Sequence, residues 1–212
     1  MKKIYLIVSL ALFFCVQAHA QSPKFIVEVG AGYFKNSSNF QNSNKSRSFD
    51  QYFKPYLKTG LIANDHFTFG LSYSYANQNS EFNTDELENW YSHINYKVNT
   101  HTPGIFARYN FWPISTSKWN AFVEFHPHYS LSKTKAENNT ILQDSKSLNF
   151  ELLGGASYAF NETFGLQLSI HNLVLQRSQW IKQGDIKSRV QSTDILTNPT
   201  ENASLSFTIK FK

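Results

Sequence analysis

Phe67-Thr68-Phe69-Gly70-Leu71-Ser72-Tyr73-Ser74-Tyr75 alternates without exception. Large apolar or aromatic side chains occupy every odd position, and threonine, glycine and serine fill the even ones. Successive side chains of a β-strand point to opposite faces, so this stretch is a strand with two unlike environments. The pattern returns near the end of the chain, where Leu205, Phe207, Ile209 and Phe211 alternate with Ser204, Ser206, Thr208 and Lys210. Similar runs cover 24 to 34, 52 to 62, 103 to 111, 119 to 132, 148 to 160 and 164 to 175. With 67 to 76 and 203 to 211 they make eight.

The connections between the runs are unequal. Asn64-Asp65-His66, residues 112 to 118 and Asn161-Glu162-Thr163 are short, whereas 35 to 50, 77 to 99, 133 to 147 and 176 to 202 are long. Short turns at one end and long loops at the other characterise a transmembrane barrel, whose strands need about 9 to 11 residues to cross the bilayer. A ten-stranded barrel is the alternative, because Trp90, Ser92, Ile94, Tyr96 and Val98 also alternate. That stretch reads better as an outward extension of the fourth strand, with a break in phase before Pro103-Gly104. Pro103 and Pro127 argue against regular pairing where they fall, unless bulges occur there.

Volume decides which face meets lipid. Phe25, Val27, Val29, Phe53, Leu57, Phe69, Tyr73, Tyr109, Trp119, Val123, Phe125, Phe150, Leu168 and Ile170 share one face and are too bulky for the bore of an eight-stranded cylinder. The opposite face carries seven of the nine glycines, among them Gly30, Gly60, Gly70 and Gly155. The apolar face therefore points outward. In water such a surface would aggregate, and in lipid an open sheet would leave backbone groups unpaired. A closed antiparallel up-and-down barrel in a membrane meets both conditions. Tyr33, Tyr75, Trp112, Trp119, Tyr129 and Phe160 fall near strand ends, where aromatic girdles form. A lipocalin-like soluble barrel would put the glycine and serine face outside and gives no account of the unequal loops.

Composition agrees. The chain has 212 residues, 16% aromatic and 17% charged, against about 25% charged in an average soluble domain. Lys2 and Lys3, the apolar run from Ile4 to Val16 and Ala18-His19-Ala20 form an export signal with cleavage expected after Ala20, leaving 21 to 212 as the barrel domain. Phe14 before Cys15 is too bulky for a lipid-modification site. Cleavage removes the only cysteine, and with it disulfide and thiol chemistry. The remaining lysines and arginines are scattered singly, without the cluster that follows a phosphate backbone, so nucleic-acid binding drops out.

These features resemble the family of small outer-membrane β-barrel proteins that includes OmpX and the transmembrane half of OmpA. The residues carrying the resemblance are the glycine-rich Phe25 to Tyr33, the inward Arg108 of Phe106-Ala107-Arg108-Tyr109 and the aromatic last strand. The resemblance implies a bacterial outer-membrane location and recognition of Phe207 and Phe211 by the barrel-insertion machinery, although Lys212 trails the last aromatic here. A porin-like small gated channel and a lipid A-modifying enzyme are alternatives on the same scaffold.

Parity assigns Glu28, Lys54, Lys58, Arg108, Glu124, Glu151 and Lys210 to the lumen, with Tyr56, Asn110, His126, His128, Gln167 and His171. Arg108 and Glu124 stand nearly symmetrically about the turn near residue 116 and should face each other, where opposite charges are favourable. Glu28, Lys58, Arg108 and Glu124 lie at similar depth and form one expected network. Buried charges must be paired, so a structural plug is the leading reading. An enzyme would use His126, His128 and Glu124 on the fifth run with His171 on the seventh, but no serine is fixed beside them by a signature. Two histidines with Glu124 could bind a metal, yet a lumen histidine is more often a hydrogen-bonded filler. The expectation is a monomer without cofactor, metal or catalysis, surrounded by outer-membrane lipid, whose loops meet any extracellular partner.

Overall fold

The computed structural model describes residues 24–39, 47–83, 94–114, 117–136, 141–196 and 202–211. The export segment 1–20 lies outside the described residues, as do Trp90, Ser92 and Lys212. Among the described residues nine strands follow one another: β1 (Lys24–Asn39), β2 (Arg47–Ile62), β3 (Phe67–Asn83), β4 (Ile94–Asn110), β5 (Trp119–Ala136), β6 (Ile141–Ala159), β7 (Phe164–Gln183), β8 (Ile186–Ile195) and β9 (Asn202–Phe211). Every pairing is antiparallel. β1 to β7 pair in chain order, and β9 closes the sheet between β7 and β1.

Nine strands make eight wall positions. β9 pairs with β7 from Phe164 to Ile170, β8 pairs with it from Val174 to Gln183, and both run antiparallel to it. They are two halves of one broken eighth strand, so the barrel is closed and eight-stranded. The ten-stranded alternative ends there, because Ile94 to Val98 continue β4. The expected break in phase before Pro103 does not occur: the β3–β4 register runs unshifted from Phe82↔Ile94 to Phe67↔Tyr109.

The prolines need no bulge either. Pro103 and Pro127 lie on facing strands, and the β4–β5 ladder is interrupted on either side of Gly104↔His128 while its register stays constant. Neither proline has an N–H to give, and Thr102 Oγ1 with Ser130 Oγ at 3.2 Å bridges the thinned ladder.

The strands outrun their sequence readings at the loop end. Residues 176 to 202, expected as one long loop, contain the end of β7, a turn at Gly184 with φ 59°, and β8. Beyond the bilayer both faces of a strand meet water, so apolar alternation fades while the backbone ladder continues. Polar stretches such as Arg177-Ser178-Gln179 therefore hid a strand.

The side-chain sorting follows volume. Leu71 is 64% exposed and Trp119 68%, while Glu124 is fully buried. Among the described residues six apolar side chains depart from the expected all-polar hollow, since Ile26, Ala76, Phe106, Phe122, Leu153 and Leu175 are buried inside. Glycines make the room: a Cβ on Gly155 would lie 2.6 Å from the Phe122 ring, and one on Gly60 3.0 Å from that of Phe106. At the turn end, outward rings touch in series, Phe67 with Tyr109, Tyr109 with Phe111, Trp119 with Tyr158, Tyr158 with Phe160 and Phe160 with Phe207. This is an interfacial girdle.

Candidate functional site in the lumen

Two polar layers fill the bore. The lower one is centred on Arg108, delivered by β4 and stacked 4.5 Å from the Phe122 ring. Its Nη1 donates to Gln167 Oε1 at 2.6 Å, its Nη2 to Glu28 Oε2 at 2.8 Å, and its Nε to Glu124 Oε2 at 2.8 Å. Lys58 Nζ, from β2, donates to Glu124 Oε1 at 2.5 Å. Glu28 Oε1 also accepts from Gln167 Nε2 and from Ser206 Oγ. Two acids and two bases thus cancel in charge, and among the described residues no buried side-chain nitrogen or oxygen lacks a partner. Balanced, saturated hydrogen bonding is what makes buried charge tolerable. Below this layer, Thr68, Asn110, Asn120, Thr208 and Lys210 line a cavity of about 40 Å³, room for water only.

The upper layer is centred on Glu151 of β6. His171 Nδ1 lies 2.9 Å from its Oε1 and His126 Nδ1 lies 3.3 Å from its Oε2. His128 Nδ1 is 4.0 Å from the same Oε2. A bulge supplies His171: the β6–β7 register jumps between Leu152 and Gly154, so His171, Asn172 and Leu173 oppose Leu153 alone. Asn172 takes a left-handed φ of 57° and directs its own backbone N–H to Glu151 Oε1 at 3.2 Å. Bulges commonly re-aim a side chain in this way.

The structure brings Glu28, Lys58, Arg108 and Glu124 together, and gathers Glu151, His126, His128 and His171 into a second group. Lys54 lies half-buried toward the loop end of β2, and Lys210 half-buried at the turn end of β9. Phe207 and Phe211 face outward on β9, Phe211 against Phe25. One grouping changes: the acid that serves the histidines is Glu151 rather than Glu124, whose two oxygens are taken by Lys58 and Arg108.

Sequence reasoning also missed two serines. Ser72 Oγ lies 2.7 Å from His126 Nε2, and Ser204 Oγ 2.8 Å from His171 Nε2. They come from β3 and β9, distant in the chain, and no local motif announces them. The only local sign of the bulge is Asn172 itself, a residue type that tolerates left-handed backbone.

A closed antiparallel barrel with an apolar girdled exterior and a charge-paired hollow defines an integral outer-membrane protein. The chain belongs to the outer membrane protein beta-barrel domain family, whose model matches residues 6–197. Its location is the bacterial outer membrane. The crystal structure of Neisserial surface protein A is similar, at 18% identity and a TM-score of 0.50, covering 88% of this chain and 97% of that one. That of the outer membrane protein OprG from Pseudomonas aeruginosa is 13% identical with a TM-score of 0.52, covering 92% of this chain and 98% of that one. At these identities the likeness concerns the fold alone. No curated protein matches the chain in sequence.

Proposed function

We propose that the protein is a non-enzymatic, monomeric outer-membrane barrel whose plugged wall holds long β-hairpins at the cell surface, serving envelope structure or contact with an extracellular partner. The observation that supports this most is the lower layer, in which Arg108, Lys58, Glu28, Glu124 and Gln167 are buried in the bore and mutually satisfied. The β7–β8 hairpin adds to it by carrying exposed Trp180, Ile186 and Val190 beyond the bilayer. Export by a leader ending at Ala20, a surrounding shell of outer-membrane lipid and recognition of Phe207 and Phe211 by the insertion machinery complete the reading. Purified protein in a planar bilayer then gives no single-channel steps. Steps altered by Arg108→Ala would establish the gated-channel alternative instead.

One observation speaks for a second reading, a lipid A-modifying enzyme: Ser72, His126 and Glu151 have the connectivity of a nucleophile, base and orienting acid. Against it, all three project into the lumen, away from the acyl chains. A serine-directed fluorophosphonate probe on native protein and lipid A mass spectra with and without the protein separate the readings. No label on Ser72 and unchanged acylation accord with the non-enzymatic one.

A further inference from the structure

We propose that His126, His128 and Glu151 form a binding site for a divalent transition-metal ion of the zinc class inside the barrel. Each of the three offers a ligand atom within 4.8 Å of the others, and Glu151 Oε2 lies 3.3 Å from His126 Nδ1 and 4.0 Å from His128 Nδ1, which also contacts the His126 carbonyl oxygen at 3.2 Å and must leave it, or turn its ring, to bind an ion. Zinc takes nitrogen and carboxylate ligands at about 2.0–2.2 Å, which places tetrahedral donors about 3.3 Å apart. The cluster therefore needs a closure of up to about 1.5 Å, taken up by side-chain rotations. Two imidazoles and one carboxylate suit zinc, copper or nickel and not magnesium, which prefers oxygen ligands and water.

Three further features favour a site over a filler. β5 sends His126 and His128 to the same side as an i, i+2 pair, with Glu151 the direct cross-strand partner of His126. The outer shell is in place: Ser72 Oγ sits on His126 Nε2 at 2.7 Å, while His171 and the Asn172 N–H hold Glu151 Oε1 and leave Oε2 turned to the two histidines. Such partners fix the tautomer and orientation of metal-binding histidines, and losing one typically weakens binding about 10–100-fold. The cluster is also the more accessible layer. Its three histidine side chains keep 10–13% of their surface, against 0–5% for the four charged groups below. Above it the lumen is lined by small polar side chains, Thr102, Ser130, Ser147 and Asn149. Lys54 of β2, close enough to act on His128 electrostatically, opposes the ion's charge.

The full-length barrel, folded in detergent, is dialysed against zinc and, separately, against magnesium, and its metal content is measured by mass spectrometry. The proposal expects one zinc per chain, no retained magnesium, at least tenfold weaker zinc binding in Glu151→Gln and His128→Gln, and unchanged binding in His66→Gln at the turn end. Folding of each variant is read from heat-modifiable gel migration. Should neither lumen variant fold, cobalt on the native protein decides: visible tetrahedral d–d absorption displaced by zinc supports the site. Native protein without stoichiometric zinc, binding that persists in folded His128→Gln and Glu151→Gln, or no such cobalt spectrum would overturn it.

Discussion

Arg108 and Glu124 are direct cross-strand partners on β4 and β5, and the guanidinium places both its Nε, at 2.8 Å, and its Nη2, at 2.5 Å, on the same Glu124 oxygen. The other oxygen belongs to Lys58, so a single buried carboxylate holds two cations. Removing one partner of a buried pair costs about 3–5 kcal/mol. Glu124→Gln, which keeps the shape but sets an amide N–H donor where an oxygen accepts from a cation and leaves two cations to Glu28 alone, should lower stability by about that amount. Urea titration of the folded gel band measures it, and an unchanged midpoint would contradict the network's role.

Leu71 stands midway along the apolar alternation of β3 from Phe67 to Tyr75, 64% exposed on the outward face. Arginine near the bilayer midplane of such a barrel costs about 2–4 kcal/mol, falling toward zero near the interfaces. Leu71→Arg should therefore destabilise the protein folded in lipid vesicles by about 2–4 kcal/mol, and Leu131→Arg, beyond the girdle on β5, by much less. Equal losses at the two sites would place the membrane elsewhere.

Gly60 and Gly70 are paired across β2 and β3, and a Cβ on Gly70 would collide with the backbone of Thr59 and Gly60. Gly70→Val suits a strand backbone but removes this approach. The expected result is loss of the heat-modifiable folded band, with Gly184→Asn, at an open turn, folding normally.

Asn172 adopts its left-handed backbone at the bulge that delivers His171 to Glu151. A left-handed backbone conformation costs an ordinary L-residue about 1–2 kcal/mol, and glycine little. Asn172→Gly should fold with near-native stability and Asn172→Val should lose about 1–2 kcal/mol or more, read by the same urea titration.

Most of the wall was legible because the barrel's two faces meet chemically opposite surroundings. Phe69, Leu71 and Tyr73 announce lipid and Gly70, Ser72 and Ser74 the hollow, so parity alone carried Glu28, Lys58, Arg108 and Glu124 inward to one depth. Legibility ended where that contrast ends. Above the bilayer β8 has water on both sides and reads as loop. Inside, Phe106 and Phe122 follow their strands' parity but violate the expected chemistry, and only the register that sets Gly60 and Gly155 beside them explains the fit. The link from His171 to Glu151 depends on a three-residue bulge, which shifts β7 against β6 and leaves almost no trace in the sequence.

The sorting of faces is best tested by a fluorophore attached to a single introduced cysteine, the chain's own Cys15 having been removed. Leu71→Cys and Ser72→Cys are compared in vesicles of ordinary and brominated lipid. The account expects strong quenching by brominated chains at position 71 and little at 72. Equal quenching, or stronger quenching at 72, would contradict an exterior of bulky apolar groups around a polar, filled hollow.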